Sequence, residues 1–376
     1  MAMANVNTKT RTLALFVDRI DDHPGGAERF VAEIATALST RGRSVLLITS
    51  RGASGSLLEK AKAAGVHHVD LGRKSKADIW RLIALARILR TNRIEVLHTH
   101  KFGSNLPGVL LGRLSGTSTV IAQEHGWSYE GQRFRRLCDR HVIGRLATNF
   151  IAVSRADAAK MLSIERVPKR RVVVVPTALT PRSADDQSPN LRDELGLNPT
   201  APIVLIVARL RPEKAVEVLI EAFAAIRVAV SDAQLVIAGD GPEKNVLRDF
   251  AIRLGLGNAV HFLGYREDVP HLVDASTVCT LVSDREGLPL WVLETMQGAR
   301  PLVATRVGGI PEAIDDNVSG LLVPPRDPSA LAVAVVSLLQ DPERRKSMSA
   351  AAQARAIRDF SLDSVLDRLE ALYDRG

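Results

Sequence analysis

Ser283-Asp-Arg-Glu286-Gly-Leu-Pro-Leu-Trp-Val-Leu-Glu294 is the stretch on which the reading of this chain turns. It follows a β-branched, apolar run, Ser276 to Val282, and leads into a helical pattern, so it reads as strand, loop and helix. Glu294 lies eight residues after Glu286, a little over two turns at 3.6 residues per turn, which lets both carboxylates face one cavity at the carboxyl end of a strand. Open α/β sheets bind their ligands there. Gly287 lets a ligand approach the backbone, and the N–H groups of Gly287, Leu288, Pro289 and Leu290 are expected to open the helix with donors and its positive dipole end. Such a site suits a polyhydroxy, phosphorylated ligand. The bland alternative is a surface loop before an ordinary helix with a solvated glutamate.

Two further segments favour the ligand-binding reading, Val307-Gly-Gly-Ile-Pro-Glu312 downstream and Gly239-Asp-Gly-Pro242 upstream. Together the three resemble the donor-binding domain of retaining glycosyltransferases, specifically family 4 (group 1 glycosyltransferases, GT-B fold), whose signature is Glu, seven residues, Glu. The resemblance runs over nearly the whole chain. It implies an α/β fold of two Rossmann-like domains facing each other across a cleft, with a C-terminal helix crossing back to the first. It also implies transfer of a sugar, with retention, from a nucleotide-sugar donor (UDP- or GDP-sugar) to a hydroxyl acceptor in glycolipid, cell-surface polysaccharide or glycoconjugate synthesis. No cofactor is expected beyond that co-substrate.

The length, 376 residues, suits two domains, expected at 1–181 (acceptor side, with a terminal helix at 358–376) and 182–357 (donor side, including a polar linker at 182–197). Cys138 and Cys279 form no motif, which fits a reducing cytoplasm rather than a disulfide framework or a zinc site. The first apolar run, Leu13 to Val17, is too short for a signal peptide, and no run approaches about 18 apolar residues, so the expectation is a soluble or peripheral protein. Charge is uneven. Residues 1–181 hold 29 Lys and Arg against 14 Asp and Glu, net +15, whereas 182–376 hold 21 against 28, net −7. Such asymmetry points to an anionic partner of the first half. Nucleic acid is disfavoured by the absence of a recognisable binding motif and by 4% aromatic content. A nucleotide-sugar epimerase of the same architecture is the competing enzyme class, separated by its independence of an acceptor.

Along the first half, strands are expected at Thr12–Val17, Ser44–Thr49, Val66–Leu71, Ile94–His98, Thr119–Ala122, Asn149–Val153 and Arg171–Val175, alternating with helical patterns that include Arg29–Thr40, Lys76–Thr91 and Arg155–Ser163. That alternation means a parallel, doubly wound sheet. Gly25 and Gly26, in a Gly-Gly-Ala-Glu turn, allow a diphosphate to approach a helix start. They match neither the dinucleotide nor the P-loop pattern, so those readings lose their main support. His100 and the Gln123-Glu124-His125-Gly126 segment follow strands. The resemblance assigns His125 a sugar contact and leaves His100 and Glu124 as acceptor-side candidates, and Ser154 reads first as a helix N-cap. The chain departs from the family at Pro176-Thr177-Ala178, where Pro-Asn-Gly is usual, so an Asn contact cannot be carried over.

In the second half, Arg209, Arg211 and Lys214 precede or open a helix with Pro212 at its start. Arg209 and Lys214 match the family's donor-phosphate pair, and the Gly264–Val269 loop with Arg266 matches the base-holding loop. Gly241 ends another strand. No Asp-x-Asp occurs, so Arg209, Lys214 and helix dipoles are expected to meet the leaving charge without metal. Retention by double displacement would need a carboxylate nucleophile, for which Glu124 is the first-domain candidate, and a same-face mechanism is expected instead. Arg133, Arg136 and Arg140, at i, i+3 and i+7 of an expected helix with Phe134, Leu137 and Ile143, form a segment able to rest on an anionic membrane surface or to meet an anionic acceptor.

Overall fold

The computed structural model describes residues 11–75, 78–126, 132–178, 180 and 190–375. The chain divides into two compact units, Met1–Pro176 with Asp363–Gly376, and Thr177–Leu362.

The first unit is built on seven parallel strands: β1 (Leu13–Val17), β2 (Val45–Thr49), β3 (His67–Asp70), β4 (Val96–His100), β5 (Thr119–Glu124), β6 (Asn149–Ala152) and β7 (Val172–Val174), in the order β3-β2-β1-β4-β5-β6-β7. Runs such as Leu-Ala-Leu-Phe-Val are buried along their whole length because helices cover both faces. β4 and β5 run two residues past the expected ends at His98 and Ala122. The extension pairs His100 with Gln123 and keeps His98, His100, Ile121 and Gln123 on one sheet face. The helix expected from Lys76 begins at Trp80. Residues 76–77 lie outside the described residues. Strand order reverses between β1 and β4, the place where such sheets collect ligands.

The chain's last two helices divide between the units. Pro342–Phe360 packs on Leu290–Gln297 in the second unit, Ser361 is extended, and Leu362–Tyr373 belongs to the first. Charge fixes that final helix. Arg41 bonds Asp363, Asp367 and Glu370 at 2.7–2.8 Å, and the nearly buried Arg43 bonds Glu370 and Asp374 at 2.7 Å while its guanidinium lies 6.0 Å from the Tyr373 ring centroid. Two arginines shared among four carboxylates form a network, a geometry worth more than isolated surface pairs.

The second unit carries six parallel strands: β8 (Ile203–Val207), β9 (Gln234–Ala238), β10 (Val260–Gly264), β11 (Val278–Leu281), β12 (Leu302–Thr305) and β13 (Leu321–Val323), in the order β10-β9-β8-β11-β12-β13. Its reversal falls between β8 and β11, so the loops after Val207 and Leu281 flank that point. Residues 181–189, which include the first half of the expected linker, lie outside the described residues. No described helix is long and apolar enough to cross a membrane.

Candidate active site

In the second unit, the loop after β11 is held from several sides. Ser283 Oγ donates to Glu286 Oε1 at 2.7 Å, and Lys214 pairs with the same oxygen. Thr305 Oγ1 donates to Ser283 O at 2.7 Å, Gly309 N–H to Gly287 O at 2.7 Å, and Thr177 Oγ1 to Leu288 O at 3.0 Å. Gly308, at φ +53°, touches the loop backbone so closely that a Cβ there would stand 1.8 Å from Glu286 O. Only glycine fits such a contact.

The helix after this loop runs Leu290–Gln297, with Trp291 Nε1 donating to Thr280 O at 2.9 Å and Glu294 half-buried on its second turn. Two expectations need correction. Pro289 is the N-cap and has no N–H, so the row of donors expected at 287–290 is interrupted there. Pro212 opens a 3₁₀ turn, Pro212–Lys214, rather than the following α-helix. Ala215 adopts a left-handed φ of +50° and the helix starts at Val216. That turn directs Lys214, expected at the donor phosphates, onto Glu286. Arg209 is exposed in the loop after β8. Gly241 permits the loop after β9 to pack on it, since a Cβ would lie 2.2 Å from Leu210 O. Arg266 bonds Asp268 at 2.7 and 2.6 Å and Glu194 at 2.6 Å, and these acids raise its pKa, so it is a fixed cation.

In the first unit, Gly25 caps and Gly26 begins the helix Gly26–Thr40, and its Glu28 accepts from Lys101 Nζ at 2.6 Å. Lys101, directly after β4, has φ +68°, a strained conformation of the kind found at functional sites. His100 Nδ1 lies 3.2 Å from His125 Nε2, and Phe30 packs edge-on against both rings. Burial pushes His98 and His125 down to about 3 and His100 well below its usual value, with Lys101 adding to the effect on His125, so all three are neutral at physiological pH.

Glu124 is directed to the opposite sheet face. Its oxygens take bonds from Asn105 at 2.9 Å and Arg135 at 3.2 Å, and Arg135 stacks 4.7 Å from the Phe102 ring centroid. Nearby Asp139 is pushed up to about 9 by burial and by Glu124 and Glu165. The helix expected to align Arg133, Arg136 and Arg140 is α-helical only over Arg133–Cys138. A π turn, Asp139–Ile143, follows, so the i, i+7 alignment fails. Ser154 is an N-cap, accepting from Asp157 N–H at 3.0 Å. Among the described residues, no group of three or more His, Cys, Asp or Glu is arranged to hold a metal ion.

Lys101, Glu28 and Gly308 were not singled out by sequence reasoning. The first two lie beside His100 and Gly26, within the motifs already considered, whereas the partner of Gly308 is visible only in three dimensions.

Residues 24–182 match Glycosyltransferase Family 4, and residues 187–355 match Glycosyl transferases group 1. Alpha-D-kanosaminyltransferase of Streptomyces kanamyceticus is 32% identical over 78% of this chain and 81% of its own. The chain is a family 4 glycosyltransferase. It is a retaining enzyme that transfers a sugar from a nucleotide-sugar donor. The Escherichia coli UDP-Gal:alpha-D-GlcNAc-diphosphoundecaprenol alpha-1,3-galactosyltransferase is 24% identical, over 79% of each chain. Anabaena HepE, solved with UDP-glucose, superposes with a TM-score of 0.85 at 20% identity over 97% of this chain and 100% of its own, which establishes the GT-B-like fold of two Rossmann-like domains.

The buried histidines give the glycosyltransferase a pH signature. Unfolded, each imidazole gains a proton below about 6.5, whereas in the folded unit His98 and His125 stay neutral down to about 3. The unfolded state therefore binds more protons in that window, and stability falls as pH drops through it, by at most about 1.4 kcal/mol per imidazole per pH unit. Denaturant midpoints should fall between pH 6.5 and 5, above the usual carboxylate range. Equal midpoints would contradict the neutral burial.

Proposed function

We propose that the enzyme transfers a hexosyl group from a UDP-sugar to an anionic, lipid-linked acceptor during cell-envelope glycoconjugate synthesis, as a peripheral protein on the cytoplasmic face of the membrane. The observation carrying the donor half is the convergence of Lys214, Ser283 and the Gly308 turn on Glu286. In this reading Glu286 holds the transferred sugar, Glu294 the ribose hydroxyls, and Arg209 and Lys214 the diphosphate. Gly287, Leu288 and Leu290 supply backbone donors. The names of HepE's ligand and of the E. coli relative's donor favour uridine.

The reaction proposed is a same-face displacement. The acceptor oxygen bonds to the anomeric carbon as the bond to the diphosphate oxygen breaks, and the acceptor proton passes to that departing oxygen. Occupation of Glu124 by Asn105 and Arg135 argues against its use as a nucleophile. UDP at about 100 times its dissociation constant should stabilise the fold by roughly 2.7 kcal/mol. In a melting series with UDP, GDP and ADP, UDP should give the largest rise, and Glu294→Gln should remove most of it. EDTA should leave turnover intact. Unchanged melting with every nucleotide would overturn the donor assignment.

The acceptor half rests on one surface of the first unit. Helices Trp80–Thr91 and Phe102–Leu114 lie over the same core, the Arg135 guanidinium of the helix Arg133–Cys138 lies over the Phe102 ring, and Trp80, Leu114 and Phe134 are 78%, 69% and 70% exposed. Residues 79–147 carry 11 Lys and Arg against four acids, two of which, Glu124 and Asp139, are buried. Aromatic and aliphatic side chains set among arginines suit an anionic lipid surface, each cation contributing about 1 kcal/mol. Co-sedimentation with liposomes should rise with anionic lipid, fall with salt, and weaken in Trp80→Ser and in Arg133→Glu/Arg136→Glu. Equal recovery in the supernatant with neutral and anionic vesicles at low salt would leave a soluble acceptor.

A further inference from the structure

Behind His125 lies a line of buried polar side chains that the transfer reaction does not itself require. His98 and His100, two residues apart on β4, are fully buried and stack with ring centroids 4.1 Å apart. His98 Nδ1 lies 2.8 Å from the hydroxyl of Tyr373, in the chain's final helix. Tyr373 is fully buried, receives a bond from Arg11 on its carbonyl at 3.2 Å, and lies beneath the Arg43 guanidinium. The last helix thus inserts a peg behind the histidines, and Phe30 closes the other side.

The hydrogen bonds fix where the protons sit. His100 is neutral and has one ring N–H. Its Nε2 is buried with no hydrogen-bond partner, while its Nδ1 faces His125 Nε2. A buried N–H without an acceptor costs more than a bare nitrogen without a donor, so the proton belongs on His100 Nδ1, donated to His125 Nε2. A neutral His125 accepting at Nε2 must carry its own proton on Nδ1.

We propose that His100, backed by His98 and Tyr373, is a positioning residue that holds His125 in the Nδ1–H tautomer, so that His125 meets the substrate as a hydrogen-bond donor and not as a base. This rests on His125 contacting substrate. Its function would be to donate to a sugar or acceptor oxygen without gaining a charge.

Nitrogen-15 NMR of the histidine rings in the substrate-free enzyme tests the tautomer directly. The expected spectrum has His125 protonated at Nδ1 and bare at Nε2. His100→Phe, which keeps a buried ring but no Nδ1, should shift His125 toward the Nε2–H form. His100→Asn, whose amide nitrogen can replace Nδ1, should restore the original pattern. Tyr373→Phe, which removes one hydroxyl, should broaden or split the His125 signals. In turnover, His100→Phe should lower kcat roughly 10-fold or more with the donor KM little changed, and His100→Asn should recover most of the loss. A wild-type His125 protonated at Nε2, or one unchanged in His100→Phe, would overturn the proposal. Because the ring signals are read without substrate, absence of transfer to every acceptor would count against the acceptor reading alone.

Discussion

The contact between Gly308 and the carbonyl of Glu286 is the constraint on which the loop after β11 depends, and with it the proposed donor site. It brings two loops of the second sheet, those after β11 and β12, to backbone-to-backbone distance, closer than any side chain permits. The Gly309–Gly287, Thr305–Ser283 and Thr177–Leu288 bonds hold the same six-residue segment in place. With the backbone fixed, Glu286 has few positions available, and Lys214 and Ser283 choose among them. The preorganisation is of the kind that lets fixed charges act on a reacting group without reorganising.

The two units solve opposite electrostatic problems. In the second, cations are held by acids: Lys214 by Glu286, and Arg266 by Asp268 and Glu194, so their positions are fixed by the protein itself. In the first, the imidazoles that follow the central strands are neutral, and Arg41 and Arg43 pair with the acids of the last helix and fasten it. A protonated His125 would sit near the Lys101 cation, so keeping it neutral removes a repulsion at the carboxyl end of the sheet.

Much of this was legible in the sequence where the information is local. The strand, loop and helix around Glu286 and Glu294, the alternation of strands and helices, and the Ser154 cap all follow from spacing and residue type within a dozen positions. What depended on partners far along the chain was not. Lys214 meets Glu286 across 72 residues and His98 meets Tyr373 across 275, and neither pairing leaves a periodic trace. The extension of β4 through His100 was missed because histidine is not a strand-forming signal, although two buried imidazoles there continue the alternation. The π turn after Cys138 was invisible because an inserted residue in a helix changes no local propensity. Pro212 read as a helix start because proline fits the first turn of either helix type, and the left-handed Ala215 that separates the two cannot be inferred from an alanine.

The measurement that reaches the account most directly is nucleoside-diphosphate binding by calorimetry to Gly308→Ala, with Gly255→Ala beside it. Both glycines have positive φ, +53° and +72°, and so carry comparable backbone strain on substitution, but a Cβ at Gly255 meets nothing within 4 Å, whereas at Gly308 it strikes Glu286 O. The account predicts that Gly255→Ala binds as the unaltered enzyme does, while Gly308→Ala, still folded, loses about 10-fold or more in affinity because Glu286 and Lys214 no longer converge. Equal affinity in the two variants would contradict the claim that this backbone contact sets the donor site.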